Sequence, residues 1–274
     1  MNRRTQVSPG ALRLTLTRVT SPTDLLNRAV AKDPARPRLT WYDHNSGERV
    51  ELSGTTLANW VNKTANLLIN ELGVDPGVSV SIDLPRHWLT AVWYLAVDAV
   101  GASTVTTGSH PLAVAVVGPD AIPDAIPDAI PDDSEPTTEP LPDADEIVAV
   151  SLRPMGAAFD RPLPTMVRDY SVEVRAQPDH FVSSDAGDQQ IGERALELAR
   201  RWSLTPGDRV AAYGEKADWV GELLAPLAAD GSVVWFRNLS ADRYVEQLAA
   251  ERVTAGVGEP PIGSLTPQSI RWLP

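Results

Sequence analysis

Two stretches of the 274-residue chain combine hydroxyl side chains with glycine, as phosphate cradles do: ELSGTTLANW (51–60) and FVSSDAGDQQIGERALE (181–197). Glycines let backbone amides approach phosphate oxygens, and a neighbouring lysine neutralises their charge. Lysine occurs only as Lys32, Lys63 and Lys216. Other chemistry has fewer carriers still. The chain has no cysteine, which excludes disulfides, thiolate metal sites and cysteine nucleophiles together. His44, His87, His110 and His180 lie in four separate segments without zinc-site spacing, so no metal is expected. GASTVTTG (101–108) has glycine at both ends, but it follows a helical pattern, the reverse of the strand-to-helix order of a dinucleotide loop. No nucleophile elbow is present. No cofactor is expected.

The elements that would position these residues repeat. At an offset of 130, Val74-Asp75-Pro76-Gly77 aligns with Leu204-Thr205-Pro206-Gly207, and Gly101 with Gly231. In each copy an amphipathic helix (about 55–72; about 190–202) leads through a Pro-Gly turn into a short strand, 78–84 or 208–214. A helix follows, 86–100 or 216–229, then a glycine and a second strand, 102–107 or 232–236. Gly101 and Gly231 are therefore expected at equivalent helix ends. Upstream, RLTWYD (38–43) and ERVELS (48–53) read as a hairpin, and further strands are expected at 113–118 and 147–152. Helices alternating with short β-branched runs call for mostly parallel sheets flanked by helices. The expected fold is α/β, with two related subdomains: residues 21–119 and 145–274, after an arm at 1–20.

Between the two copies lies PDAIPDAIPDAIPDDSEPTTEPLPDAD, three Ala-Ile-Pro-Asp repeats in a Pro- and acid-rich segment (120–144). Its prolines oppose both helix and central strand, which marks a solvated linker or surface loop. Ile122, Ile126 and Ile130 read either as docking anchors for a partner or as part of a simple repeat expansion, and the segment is expected to be dispensable for stability. Ten acidic residues and no Lys or Arg fall between Asp120 and Glu146, so about ten of the net −12 charges sit there. The rest of the chain is close to neutral, which argues against a nucleic-acid surface. The most apolar run, WLTAVWYLAVDAV (88–100), is too short to span a bilayer. A buried helix, no membrane span and a cytoplasmic location are the expectations. The eight tryptophans are spread over both halves and read mainly as core or subdomain-interface residues.

With these residues in place, the run from Arg38 to Gly101, together with SLTPGDRV (203–210), LLAPLAADGSVVW (223–235) and AAERVTAG (249–256), resembles the opening two subdomains of AMP-binding enzymes, the acyl-CoA synthetase and adenylation-domain superfamily. The chain also resembles a short uncharacterised actinobacterial family related to them. The resemblance implies a phosphate loop reading Ser-Gly-Thr-Thr-Gly, any residue, Pro-Lys. Ser53-Gly54-Thr55-Thr56 begins that way but continues Leu57-Ala58-Asn59-Trp60, and it reads better as a helix start capped by Ser53 or Thr55. The loop belongs after the helix expected at 169–176, where Ser183, Ser184 and Gly187 read as its relic. Asp185 and Asp188 stand there in place of cations, and carboxylates repel a triphosphate. Tyr213-Gly214-Glu215, like the family's Tyr-Gly motif, comes too early. Lys216 starts the next helix and reads as a turn residue. The chain stops at Pro274, before the family's adenine-binding segment and lid domain.

No catalytic residue is assigned. The expectation is a truncated, degenerate, non-catalytic homologue, a pseudoenzyme that binds a protein partner or forms a homo-oligomer. The alternatives are a small-ligand (nucleotide or acyl) sensor using the inter-subdomain crevice, with Ser183, Ser184 and Gly187 at its mouth, or a half-enzyme completed by a second polypeptide.

Overall fold

A computed structural model of the chain describes residues 20–106, 108, 111–122, 141–182, 187–213, 218–258 and 269–274. Helix α1 (Pro22–Lys32) opens with a reciprocal cap: Ser21 accepts from the Asp24 amide, and the Asp24 carboxylate accepts from the Ser21 amide. The hairpin of β1 (Pro37–Asp43) and β2 (Arg49–Ser53) leads into α2 (Gly54–Asn70). Ser53 is the N-cap of α2, its hydroxyl accepting from the Thr56 amide at 3.1 Å. The Ser-Gly-Thr-Thr stretch is thus a helix start. Then come β3 (Ser79–Asp83), α3 (Trp88–Ala99), β4 (Ser103–Val105), β5 (Val114–Val117), β6 (Glu146–Ala149), β7 (Val167–Asp169) and the short α4 (Tyr170–Glu173). Helix α5 (Gln189–Arg201) precedes β8 (Arg209–Tyr213), and a π-helical turn over Val220–Leu224 runs into α6 (Ala225–Ala228). Strand β9 (Ser232–Arg237), α7 (Ala241–Ala250), β10 (Ala255–Val257) and β11 (Arg271–Leu273) complete the order.

The strands form two sheets. One, β4-β3-β5-β6-β7, is wholly parallel, and the other, β11-β10-β8-β9-β1-β2, is parallel apart from its hairpin. The α/β class with mostly parallel sheets is what the structure has, but sheet membership does not follow chain order. Strand β1 lies parallel to β9, with Leu39 opposite Val233 and Asp43 opposite Arg237. Residues 38–42 are buried on both faces, and a strand covered on both sides needs an interior place in a sheet. Strands β6 and β7 lie beyond the Pro- and acid-rich segment yet pair onto β5, with Val114 opposite Glu146. The divisions at 21–119 and 145–274 therefore do not coincide with the sheets, and the segment between them joins two neighbouring strands of one sheet. Residues 123–140 and 1–19 lie outside the described residues. Ile122 is 3% exposed and packs with Val117, Ile147 and Val167, so the first of the three isoleucines belongs to the core. The first residues of the segment are thus part of the packed structure. Ile126 and Ile130 lie outside the described residues.

The repeat is present in space with a slip of one residue. Ser79 stands opposite Ser103 in the first unit and Arg209 opposite Ser232 in the second, so the second unit is one residue shorter between its strands. Gly101 has φ 75°, and its amide donates to Asp98 O at 2.9 Å. Its counterpart is Asp230, with φ 60° and its amide donating to Leu227 O at 2.9 Å. Gly231 corresponds instead to Ala102, so the expected equivalence of the two glycines is corrected. Gly231 is small for a different reason: a Cβ there would lie 2.9 Å from Asp208 O and 3.1 Å from Pro226 O.

One apolar core joins the sheets, taking in Trp41, Val80, Val148, Ala212 and Trp235. Every residue of α3 but Tyr94 is buried, because the helix is covered on all sides, as an all-round apolar helix must be. It packs against α1, α2, β1, β3 and β4, while α1 also reaches α5 and α6.

Candidate functional site

The position implied for a phosphate loop ends at the start of α5, and there the amides are already capped. Asp188 is the N-cap, its Oδ1 accepting from the amides of Gln190 at 2.9 Å and Ile191 at 3.0 Å. The Asp188 amide donates in turn to Asp98 Oδ1 at 2.7 Å. The other Asp98 oxygen accepts from the Thr23 amide at 2.9 Å and the Thr23 hydroxyl at 2.6 Å. Asp98 is buried, and burial raises its pKa against the opposing pull of Thr23 and Asp188. One carboxylate from α3 thus ties the starts of α1 and α5 together. Gly187 fits beside it, since a Cβ there would lie 2.7 Å from Ser21 Cβ and 3.0 Å from Asp98 Oδ2. Its smallness serves packing between helices. Ser183, Ser184, Asp185, Gly214, Glu215 and Lys216 lie outside the described residues.

Where the residues after β3 meet the π-helical turn, the described residues form a buried polar node. The Arg86 guanidinium, fully buried, grips Glu222 with contacts of 2.5, 2.6 and 3.2 Å. The indole of Trp41 donates to Arg86 O at 3.0 Å and that of Trp235 to Glu222 O at 3.4 Å. Glu222 lies on the π-helical turn. Burial raises the pKa of Glu222, and the Arg86 charge opposes that rise. His87 caps α3, its Nδ1 accepting from the Leu89 amide at 3.1 Å, and its ring sits edge-on to Trp41 with centroids 4.3 Å apart. Burial lowers the His87 pKa to about 3, so the ring is neutral and Nε2, buried without a partner, carries the proton. The node is closed to solvent and works as an ionic cross-link between the two sheets. Sequence reasoning missed Asp98, Arg86 and Glu222; the signals available were a lone acid in the apolar α3 run and an Arg-His pair ahead of it, with none for Glu222.

Of the other histidines, His44 accepts from the Ser240 amide through Nδ1 and meets Gln247 through Nε2. His180 is exposed, and His110 lies outside the described residues. Among the described residues no group of three His, Asp or Glu side chains could hold a metal ion, and no helix is long and apolar enough to cross a membrane.

Three surface cavities differ in character. One of about 360 Å³ is lined by Arg36, Glu51, Arg209, Glu251 and Arg252, and its two carboxylates are engaged with arginines. Arg209 pairs with Glu251, which also meets Arg49 and the Tyr42 hydroxyl. Burial acts to raise the Glu251 pKa, but bonds from Tyr42, Arg49 and Arg209 bring it below the usual range. A second, of about 430 Å³, borders α1 at Asp24, Asn27 and Arg28. The third, of about 460 Å³, is lined by Thr56, Asn59, Trp60 and Lys63 of α2 with Met155 and Arg175. It combines an indole, a thioether and two cations, which sequence reasoning missed because α2 and Arg175 are far apart in the chain.

Comparison with known proteins gives these sites a setting. No family model matches the chain. A TIGR03089 family protein of Mycobacterium tuberculosis (strain ATCC 25618 / H37Rv) is 35% identical over 251 residues, covering 86% of this chain and 99% of that protein. The chain belongs to the TIGR03089 family. Among solved structures, this TIGR03089 chain is similar to the anthranilate CoA ligase AuaEII in complex with anthranoyl-AMP, with TM-score 0.64, 14% identity and 89% of the chain covered. It is also similar to Brucella canis acyl-CoA synthetase, with TM-score 0.65, 14% identity and 86% covered. It spans 50% and 47% of the lengths of those two structures. At that identity the likeness is one of fold, and the fold is that of acyl-CoA ligases.

Proposed function

We propose that this TIGR03089 chain is a non-catalytic relative of the acyl-CoA ligases that works in the cytoplasm by binding, to a protein partner or a second copy of itself, and that it does not adenylate carboxylic acids. The observation that carries this reading is the start of α5. Adenylation needs amides and cations free to hold a triphosphate while its charge is redistributed. Here the amides of Asp188, Gln190 and Ile191 are satisfied by carboxylates of Asp98 and Asp188. Displacing them would leave two acids beside the phosphates, one of them buried. A second reading, a small-ligand sensor, is favoured by the cleft at Trp60, where an indole and a thioether stand beside two cations.

ATP–pyrophosphate exchange tests the proposal. Purified protein with magnesium and a panel of aryl and alkyl carboxylic acids should give no exchange above background, and calorimetry should show at most weak ATP binding. Robust exchange by the protein alone would sink the non-catalytic reading, and exchange only on addition of a second polypeptide would favour a half-enzyme.

A further inference from the structure

The cleft between α2 and the loop after β6 has features that neither the ligase fold nor the α5 argument requires. Thr56, Asn59, Trp60 and Lys63 form one stripe of α2, spaced three and four residues apart. Facing them, the loop is held in a costly shape, with Leu152, Met155 and Gly156 at φ 53°, 58° and 64°. Non-glycine residues in that region persist only where their surroundings impose it, and such positions gather at ligand clamps. Here Arg153 bridges to Ala157, the Ser151 hydroxyl donates to Ala157 O, and the Met155 amide donates to Glu48 Oε1 at 3.1 Å. The braced loop leaves the Met155 side chain 82% exposed while seating Gly156 against Trp88 and Trp60.

The indole rings of Trp60 and Trp88 meet edge to face with centroids 5.1 Å apart, and Trp88 Nε1 is buried without a hydrogen-bond partner. The cleft therefore has a rigid aromatic floor. Lys63 Nζ donates to Gln177 O at 2.5 Å, and Arg175 donates to Gly156 O at 3.3 Å. Both contacts are with neutral carbonyls, so among the described residues neither cation has its charge matched by a carboxylate partner. At the cavity beside β2, by contrast, Arg209 is paired with Glu251. Two unmatched cations beside an indole and a thioether favour an occupant with a flat apolar body and an anionic end: the ring would lie against Trp60 and Met155, and the anion would take up Lys63 and Arg175.

The geometry points to a binding site for a small aromatic anion in the cleft formed by Trp60, Lys63, Met155 and Arg175. The inference goes beyond the non-adenylating reading and needs neither nucleotide nor exchange activity for its test. Calorimetric titration with 2-naphthalenesulfonate should give a Kd of about 1 mM or tighter, the range for a ligand of that size. 2-Naphthalenemethanol, with the ring but no charge, and inorganic sulfate, with charge but no ring, should each bind at least about tenfold more weakly. Lys63→Gln with Arg175→Gln should weaken the sulfonate by at least about tenfold with little change in Tm, since both cations sit near the surface. Met155→Asp places a repelling charge at the mouth on a residue type that accepts left-handed backbone, and it should weaken binding without loss of stability. No binding by the wild type, equal binding of the alcohol or of sulfate, or binding unchanged in both variants would each overturn the assignment.

Discussion

His87 is the residue whose chemistry the fold alters most legibly. Burial holds its folded pKa near 3, below the 6.5 of a freely solvated imidazole. Between those values the unfolded chain binds a proton that the folded chain does not. The stability associated with neutral His87 is therefore complete above about pH 6.5 and is lost as pH falls toward 3, at roughly 1.4 kcal/mol per pH unit. Asp43, Asp208, Asp230 and Glu251, held below the usual carboxylate range, lose their contributions only in stronger acid. Asp98 and Glu222, raised by burial, act with the opposite sign, so the diagnostic quantity is a difference between proteins. His87→Asn keeps an acceptor for the Leu89 amide and removes the titration. From pH 6.5 to 5 the wild type should lose about 2 kcal/mol more than this variant, read from urea midpoints at each pH. Parallel curves for the two proteins would show that His87 is not held neutral.

At the level of elements, the repeated strand–helix–strand was visible in Pro-Gly turns and apolar periodicity, because both are local signals. The slip of one residue was not, because two glycines aligned in sequence while different forces acted on them. Gly101 meets a backbone demand, φ 75°, whereas Gly231 meets a packing demand from Asp208 O and Pro226 O. Gly101→Ala should cost about 1–2 kcal/mol from left-handed strain, and Gly231→Ala about 1–3 kcal/mol from overpacking against backbone. The two variants should part at the next step. Adding Asn in place of Ala at 101 recovers part of the loss, since Asn tolerates that conformation, but at 231 a larger side chain worsens it. Thermal melts of the four variants check this, and equal recovery by Asn at both positions would restore the simple equivalence of the glycines.

For the whole molecule, the interleaving of the sheets is the decisive feature. A fragment of residues 145–274 would carry β6 and β7 without the sheet they extend, and would leave β9 without β1 on one side. A fragment of 1–119 would leave β1 without β9 beside it and strip Tyr42 of its packing against Phe236, Tyr244 and Leu248. Neither fragment should give a cooperative thermal transition alone, while mixing the two should restore one if assembly occurs, as followed by circular dichroism. Independent cooperative folding of residues 145–274 would show that chain order, and not sheet membership, sets the folding units. The ion pair of Arg86 with Glu222 ties the two sheets at this same scale, and removing one partner of such a buried pair costs about 3–5 kcal/mol.

What the sequence determined by itself follows from short-range physics. Ser53 as a helix cap, the buried run of α3, the parallel α/β class and the poverty of the stretch around Ser183, Ser184 and Gly187 in cations can each be read from a few adjacent residues. Tertiary structure alone decided which strands share a sheet, because pairing of β1 with β9 and of β5 with β6 is chosen by burial on both faces across a long separation in the chain. It alone brought Asp98 to the start of α5 and Arg175 to Trp60 and Lys63. A carboxylate or a guanidinium carries its charge wherever it stands, but whether that charge caps a helix or waits in a cleft depends on neighbours that only the folded chain supplies.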